Sequence, residues 1–305
     1  MKFVALTVFC FIGGCFAGQT GNYVPVYAVA EFPTPMLNTS DFHFVFGGLD
    51  GNTLHFDKTG LIREIEIIAL PQTVFKIEDT IKKNGTIIYK VTTEDYPYPN
   101  PKGYFIDSRF VRTTNSKPAD RKKVLPAKNH ILEKLLSAEG SIYVWGGNIK
   151  DGIPEMLSFY PPASSISDDL KSYWILKGVD CSGLLYQATD GYTPRNASSL
   201  VSFGQPVKIA GLNARQIIQK VEPLDIIVWK QHVAIIMDKQ RLIESRHHYE
   251  DNWNGNMGGV RIQNLEKVLS NLLQQRVPVD NYEDKIEADK RKFVVRRWYD
   301  TAADK

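Results

Sequence analysis

The sequence predicts an α+β protein: a small all-β barrel followed by a larger domain in which helices come first and strands later. Three observations predict it. From Tyr23 to about Val111, short apolar runs are broken by Gly, Pro and Asn, the pattern of short strands and turns in a small barrel. Beyond His130, apolar residues at helical spacing precede β-branched runs instead of alternating with them, which disfavours a βαβ array. The 305 residues are 43% hydrophobic and 23% charged, enough for two ordinary cores.

The chain opens on Met1-Lys2, and Phe3 to Phe16 is apolar or small apart from Thr7. Residues 1–17 therefore read as a signal peptide cleaved after Ala17, being too short and too abruptly ended for a membrane span. Ile12-Gly13-Gly14-Cys15 also reads as a lipobox, which would leave Cys15 acylated as a lipid anchor. Simple cleavage is the preferred reading. Of Cys10, Cys15 and Cys181 the mature chain then keeps one thiol, Cys181, and forms no internal disulfide. The formal charge of +3 is too mild to argue for a nucleic-acid partner.

Within residues 20–115, Val24 to Val29 opens the β pattern and Leu61 to Leu70 is rich in isoleucine. Asn84-Gly85, between Thr80–Lys83 and Thr86–Val91, is a hairpin turn sequence. Ile88-Tyr89-Lys90-Val91, followed by Lys102-Gly103-Tyr104-Phe105-Ile106, resembles the last strands of bacterial SH3-like domains. The plain alternative is an anonymous small β domain. His43 and His55 have no neighbours that suggest a metal set. Residues 116–127, polar with Pro118 and Pro126, read as a linker.

In residues 128–300, Ile131, Leu132, Leu135 and Leu136 predict a helix. Ser141 to Trp145 reads as an aromatic strand, and Gly146-Gly147 lets backbone approach closely. Residues 148–177, with Pro154, Pro161, Pro162 and several aromatics, read as a long functional loop. Gly178 to Gly183 delivers Cys181 to the first turn of a helix that continues through Leu184 to Ala188. Residues 191–206 read as loop and 214–221 as a short helix. Then come a buried strand at Asp225–Trp229, a strand from His232 to Met237, a return at Arg241–Ser245 and a closing strand at Phe293–Trp298.

Cys181 is the organising residue. The free N–H groups and dipole at a helix start favour a thiolate, the form that attacks carbonyls; a lone cysteine also reads as a small buried residue. A cysteine nucleophile needs a base and the base an orienting partner. Of the six histidines, His232 begins a strong strand just after a turn. Glu244 lies 12 positions on, across one tight turn, where its carboxylate can hold the second imidazole nitrogen. Taken singly, His232 reads as a core histidine and Glu244 as a surface acid; together with Cys181 they read as a catalytic set. A zinc site from Cys181, His232, His247 and His248 lacks ligand spacing beyond adjacent histidines. No metal or other cofactor is expected.

Asp180-Cys181-Ser182-Gly183-Leu184, Leu224 to Trp229 and His232-Val233-Ala234-Ile235-Ile236 resemble the NlpC/P60 family of papain-like cysteine peptidases, and Tyr143-Val144-Trp145-Gly146-Gly147 is similar to its Tyr-x-Trp-Gly-Gly segment. The resemblance covers about residues 128–300, and an SH3-like domain ahead of such a catalytic domain is familiar in the family. It implies a papain-like fold and a cell-wall endopeptidase acting on peptidoglycan stem peptides or muropeptides, at the bond from the γ-carboxyl of D-glutamate to the diamino acid. It implies Cys181 as nucleophile, His232 as general base and Glu244 at the orienting position. Tyr143, Trp145, Asp180 and Ser182 fall at positions that line or bind the substrate. Together with export it implies the periplasm or cell envelope. Three departures stand out: Tyr143 and Cys181 are 38 positions apart, Leu224 and Ala234 stand where glycines are common, and an acid replaces the usual third-position histidine. Glu244 is expected to raise the pKa of His232. The other readings are a non-catalytic wall-binding or assembly protein that keeps the fold, and acyl transfer to lipid.

Overall fold

The computed structural model describes residues 25–251 and 258–299. The expected signal peptide, Cys10 and Cys15 lie outside the described residues. No described helix is long and apolar enough to cross a membrane. The chain mixes helix and sheet, in two sheet-centred halves.

The first half is an antiparallel sheet of seven strands in the order Ile65–Ala69, Thr34–Leu37, Tyr104–Asp107, Thr86–Thr92, Val74–Lys83, Tyr27–Ala30, Val111–Thr114. Asn84 and Gly85 make the tight turn, both with positive φ (48° and 77°), the geometry whose twist matches a hairpin. The expected barrel is corrected to an open path, since Ile65–Ala69 and Val111–Thr114 end it without pairing to one another. The reason is that the second half occupies the edge at Ile65–Ala69. The buried Asn148 side chain accepts from the Ile68 N–H at 3.1 Å and donates to the Ile68 carbonyl at 2.9 Å, so an amide side chain stands in for a neighbouring strand.

Residues 148–177, expected as loop, carry two short helices, Glu155–Phe159 and Asp168–Trp174. Ser167 caps the second, accepting from the Leu170 N–H at 3.2 Å, with Asp168 and Asp169 in its first turn. Both helices bind the first half. Trp174, wholly buried, donates its indole N–H to the Tyr160 carbonyl at 2.7 Å. Tyr160 packs against Phe42 and Phe46 and donates its hydroxyl to Asp107. Arg109 donates to the Phe159 carbonyl at 2.9 Å. The buried cluster of the first half thus runs on without a break into Ile153, Met156, Tyr160, Trp174 and Leu176. Burial of each large apolar side chain here contributes about 1.5–3 kcal/mol.

The sheet of the second half runs Gln205–Pro206, Lys292–Arg297, Ile226–Trp229, His232–Ile236, Arg241–Arg246, Gly259–Asn264, with Val277–Pro278 beside Lys292–Arg297. Strand alternation sorts its side chains to two faces. Ile226, Val228, Val233 and Ile235 pack with helices Lys128–Ser137 and Cys181–Ala188. Ile227, Ala234, Ile236 and Val295 pack with Ala214–Lys220 and Leu265–Gln275. The strand Gly259–Asn264 and the helix Leu265–Gln275 were not among the expected elements. Leu265, Leu269 and Leu272 give that helix its buried stripe. Residues 141–144, expected as strand, form none and bond to other segments at isolated points: Ser141 accepts from Val260 and Ile142 from Val179. Two of the loops carry small additions, notably a helical turn at Ala197–Leu200 in the 191–206 segment.

Candidate active site

Cys181 is the first residue of the Cys181–Ala188 helix, and Asp180 is its N-cap. The Asp180 Oδ1 accepts from the Gly183 N–H at 2.7 Å, and its backbone N–H donates to the Gly147 carbonyl at 3.0 Å. Gly183 is required by that approach, because a Cβ there would stand 2.0 Å from the Gly147 oxygen. The Asp180 carboxylate faces a buried guanidinium. Arg195 donates to Oδ2 at 2.7 Å and Oδ1 at 2.9 Å, and also to the Ser182 hydroxyl, the Gly147 carbonyl and Asn148. Gly146 N–H donates to Oδ2 at 3.1 Å. Asp180 and Ser182, expected to touch substrate, are thus both buried and engaged by protein donors that fix the turn presenting Cys181.

His232 opens its strand at the end of the Ile226–Trp229/His232–Ile236 hairpin, opposite Trp229. The Cys181 Sγ lies 4.0 Å from the Gln231 carbonyl, and the Val233 N–H points at it, so the sulfur rests against the backbone on both sides of His232. Cys181 is 8% exposed and the His232 side chain 12%; both border the surface without being open to it. Ile235 pairs with Ile243 and Ile236 with Leu242. Continued, that register sets Ala234 opposite Glu244 and His232 diagonally across from it, on the same face. The small Ala234 leaves room for the imidazole, whose Nε2–H donates to Glu244 Oε2 at 2.5 Å. Nδ1 is the ring nitrogen that Glu244 does not engage.

Glu244 is buried and fully engaged. Its Oε1 receives Gln263 at 2.5 Å, and the Arg246 guanidinium lies 2.8 Å away. Burial opposes its charge, yet His232 and Arg246 hold its pKa down at about 2, so it stays a carboxylate. Ser245 beside it donates to the Val179 carbonyl at 2.7 Å, tying this hairpin to the Cys181 turn.

Two electrostatic expectations are corrected. Burial, with the Asp180 charge, pushes the Cys181 thiol up to about 12, outweighing the N–H groups of Val233 and Ser182 and the charge of Arg195. The resting sulfur is therefore a thiol, despite the helix start. Glu244 does push His232 upward, but burial outweighs it and the net shift is down. The pair rests neutral, with an imidazole ready to accept a proton.

Tyr143 is buried, its ring 5.6 Å from His247, and its phenol is raised by burial and by the Asp180 carboxylate. Trp145 is exposed and carries the Arg63 guanidinium of the first half 4.2 Å over its ring.

No family model matches this chain, and no curated protein matches it. Among solved structures it is similar to an NlpC/P60 family protein from Bacillus cereus ATCC 10987, with 13% identity over 90% of this chain and 63% of that one, at a TM-score of 0.32. It is also similar to a novel NlpC/P60 endopeptidase from Photobacterium damselae subsp. piscicida, with 13% identity over 82% of this chain and 50% of that one, at a TM-score of 0.30. The chain spans less than two thirds of the length of either protein. Likenesses this slight carry no weight for function, which rests on the side chains described above.

Arg195, Arg246 and Gln263 belong to the site and were not among the expected residues. Arg195 had one visible signal, a lone base after Pro194 in an otherwise nearly uncharged stretch from Thr189 to Val201. Gln263 had none, because its approach to Glu244 depends on the neighbouring strand; Arg246 stands two positions after Glu244 in one strand, on the same face by alternation. Leu224, which stands where a glycine is common, lies in the turn before the Ile226–Trp229 strand at φ 74°, where glycine is at ease and leucine is strained.

Proposed function

We propose that the chain is an exported cysteine endopeptidase that hydrolyses peptidoglycan stem peptides at the γ-D-glutamyl–diamino acid bond. One observation carries the chemistry: the Cys181 sulfur lies against the backbone flanking His232, whose far nitrogen is held by a buried carboxylate. The motif order around Tyr143, Cys181 and His232 supports the substrate class. The apolar run from Phe3 to Phe16 supports export, with Cys15 as an alternative anchor point. The first half is read as a divergent SH3-like module whose closure is replaced by contact with the second half.

In this mechanism His232 Nδ1 takes the Cys181 proton as sulfur attacks the carbonyl carbon, which separates the charge only at the moment of reaction. Glu244 stabilises the imidazolium so formed. The Cys181 backbone N–H, at the first helical position and without a helical acceptor, donates to the oxyanion together with the Tyr143 hydroxyl. His232 then gives its proton to the departing amine, and water, deprotonated by His232, cleaves the thioester. The acyl part of the substrate lies toward Tyr143 and Trp145, while Asp180 and Ser182 hold the turn beneath Cys181.

Purified muropeptides incubated with the protein and followed by mass spectrometry test the proposal. Cleavage by the parent chain that is lost in Cys181→Ala and His232→Ala supports it. Equal binding with no cleavage in all three favours instead a wall-binding protein, a reading consistent with a thiol held so firmly protonated.

A further inference from the structure

A cavity of about 350 Å³ lies between the second sheet and the helix Leu265–Gln275. Its size is that of a small-molecule site. Ile227, Trp229, Ala234 and Leu272, all buried, give it an apolar floor, and Lys267 and Arg276 stand at its rim. Glu244 and Arg246 border it, whereas Cys181, His232, Tyr143 and Trp145 do not. A molecule held there reaches the carboxylate that orients the base and leaves the nucleophile uncovered.

The charges around the cavity do not balance. Arg246 is matched by Glu244 at 2.8 Å and Arg261 by Asp251 at 2.7 Å. Among the described residues, Arg276 and Lys267 have no carboxylate within ion-pair reach, and of the lining carboxylates Glu250 alone lacks a cation. The surplus is therefore positive. The Arg276 guanidinium carbon sits 4.4 Å from the centre of the Trp229 ring, which sets a cation beside the apolar floor. Burial and the like charges of Arg291 and Arg246 disfavour that cation as it stands. An anion beside it offsets the penalty.

We infer that this cavity binds a compact organic anion, with a flat apolar body on Trp229 and Leu272 and an acid group on Arg276, and that the anion acts as an effector of the base. The route is short. Glu244 joins the cavity to the imidazole, with one oxygen on His232 Nε2 at 2.5 Å and the other beside Arg246. The Arg246 Nε is 2.8 Å from that oxygen but is not aligned to hydrogen-bond it, so charge holds the pair and a second anion competes for it. Burial disfavours the imidazolium; of the charged groups facing it, Glu244 favours protonation and Arg246 and Arg276 oppose it. An anion on the two guanidinium groups therefore makes the imidazole easier to protonate. Binding stands by itself, while control of turnover rests on the hydrolase reading.

Phenyl phosphate is the probe, with inorganic phosphate and phenol as its two halves alone. Calorimetry on the full chain at low salt should show phenyl phosphate bound at least about 10-fold more tightly than either half. Arg276→Gln should weaken it by about 10–100-fold, the range for a charge-assisted hydrogen bond. Asn271→Trp, which sets an indole over the cavity from the exposed side of the helix, should abolish binding and leave muropeptide cleavage unchanged. A second readout needs no turnover. In Cys181→Ala, the imidazole NMR signals of His232 should titrate at higher pH when phenyl phosphate is added, and Asn271→Trp should remove that movement. No binding by the parent, or undiminished binding in both variants, overturns the inference whether or not the parent cleaves anything. Binding lost in both variants with an unmoved His232 titration upholds the site and overturns the effector role. Binding and movement together uphold both, even if absence of cleavage fells the hydrolase reading.

Discussion

Replacing Glu244 with glutamine removes one negative charge and almost no volume. The carboxylate oxygen is 2.5 Å from His232 Nε2, which sets the charge centres at about 4 Å and their attraction at about 4 kcal/mol for an effective dielectric of 20. Arg246, 2.8 Å from the other oxygen, already offsets part of that field. We take about half, or about 2 kcal/mol of imidazolium stabilisation, as the loss in Glu244→Gln, equivalent to about 30-fold in kcat. The amide still accepts one hydrogen bond, but its NH2 group faces a donor, so about 1–3 kcal/mol of stability is lost as well. The pH profile separates this from simple damage. His232 acts as a neutral base, so activity falls as pH drops through its pKa. Glu244 raises that pKa, and its removal therefore moves the acid limb of kcat/KM to lower pH. Muropeptide cleavage followed by chromatography from pH 4 to 9 measures both effects. Unchanged turnover, or an acid limb that moves upward, refutes this account of Glu244.

Three further outcomes are expected. Iodoacetamide should label Cys181 slowly near neutral pH and faster at each step up to about pH 10, because burial pushes the thiol up to about 12; a rate already level from pH 5 to 7 would show a resting thiolate. Arg195→Met should lower unfolding stability by about 3–5 kcal/mol in urea titrations, since it leaves the Asp180 carboxylate buried without its cation; a loss under 1 kcal/mol would mean that the pair does not hold the turn. Leu224→Gly relieves a backbone strain of about 1–2 kcal/mol but deletes a fully buried side chain, a deletion that costs about 2–5 kcal/mol. A net loss should appear in the same titrations, and a gain would show that strain outweighs packing there.

The part of the site legible in the sequence is the part made by neighbours in the chain. Glu244 could be placed near His232 because a hairpin with one tight turn fixes its own register. Cys181 could be placed at a helix start because Asp180 and Gly183 mark that start locally. Arg195 could not, since what brings it to Asp180 is a loop without periodicity. The thiol's protonation was misjudged for a related reason: dipole and N–H groups are readable from a motif, while burial is a property of everything packed around it. The helices at Glu155–Phe159 and Asp168–Trp174 are short, proline-flanked and weak in local preference; their burial partners lie far back in the chain, at Phe42, Phe46 and Asp107. The barrel expectation failed on the same ground, because what ends a sheet is decided by its neighbours and not by its strands.

Asn148 gives this a practical edge. It offers its side-chain amide to the outer strand of one half and accepts from the Arg195 that braces the catalytic turn of the other. A clone cut at residue 115 would strip a ready docking edge of its cover and bare Tyr160 and Trp174 to water. Two fragments prone to clumping would result, where sequence punctuation suggests two tidy modules.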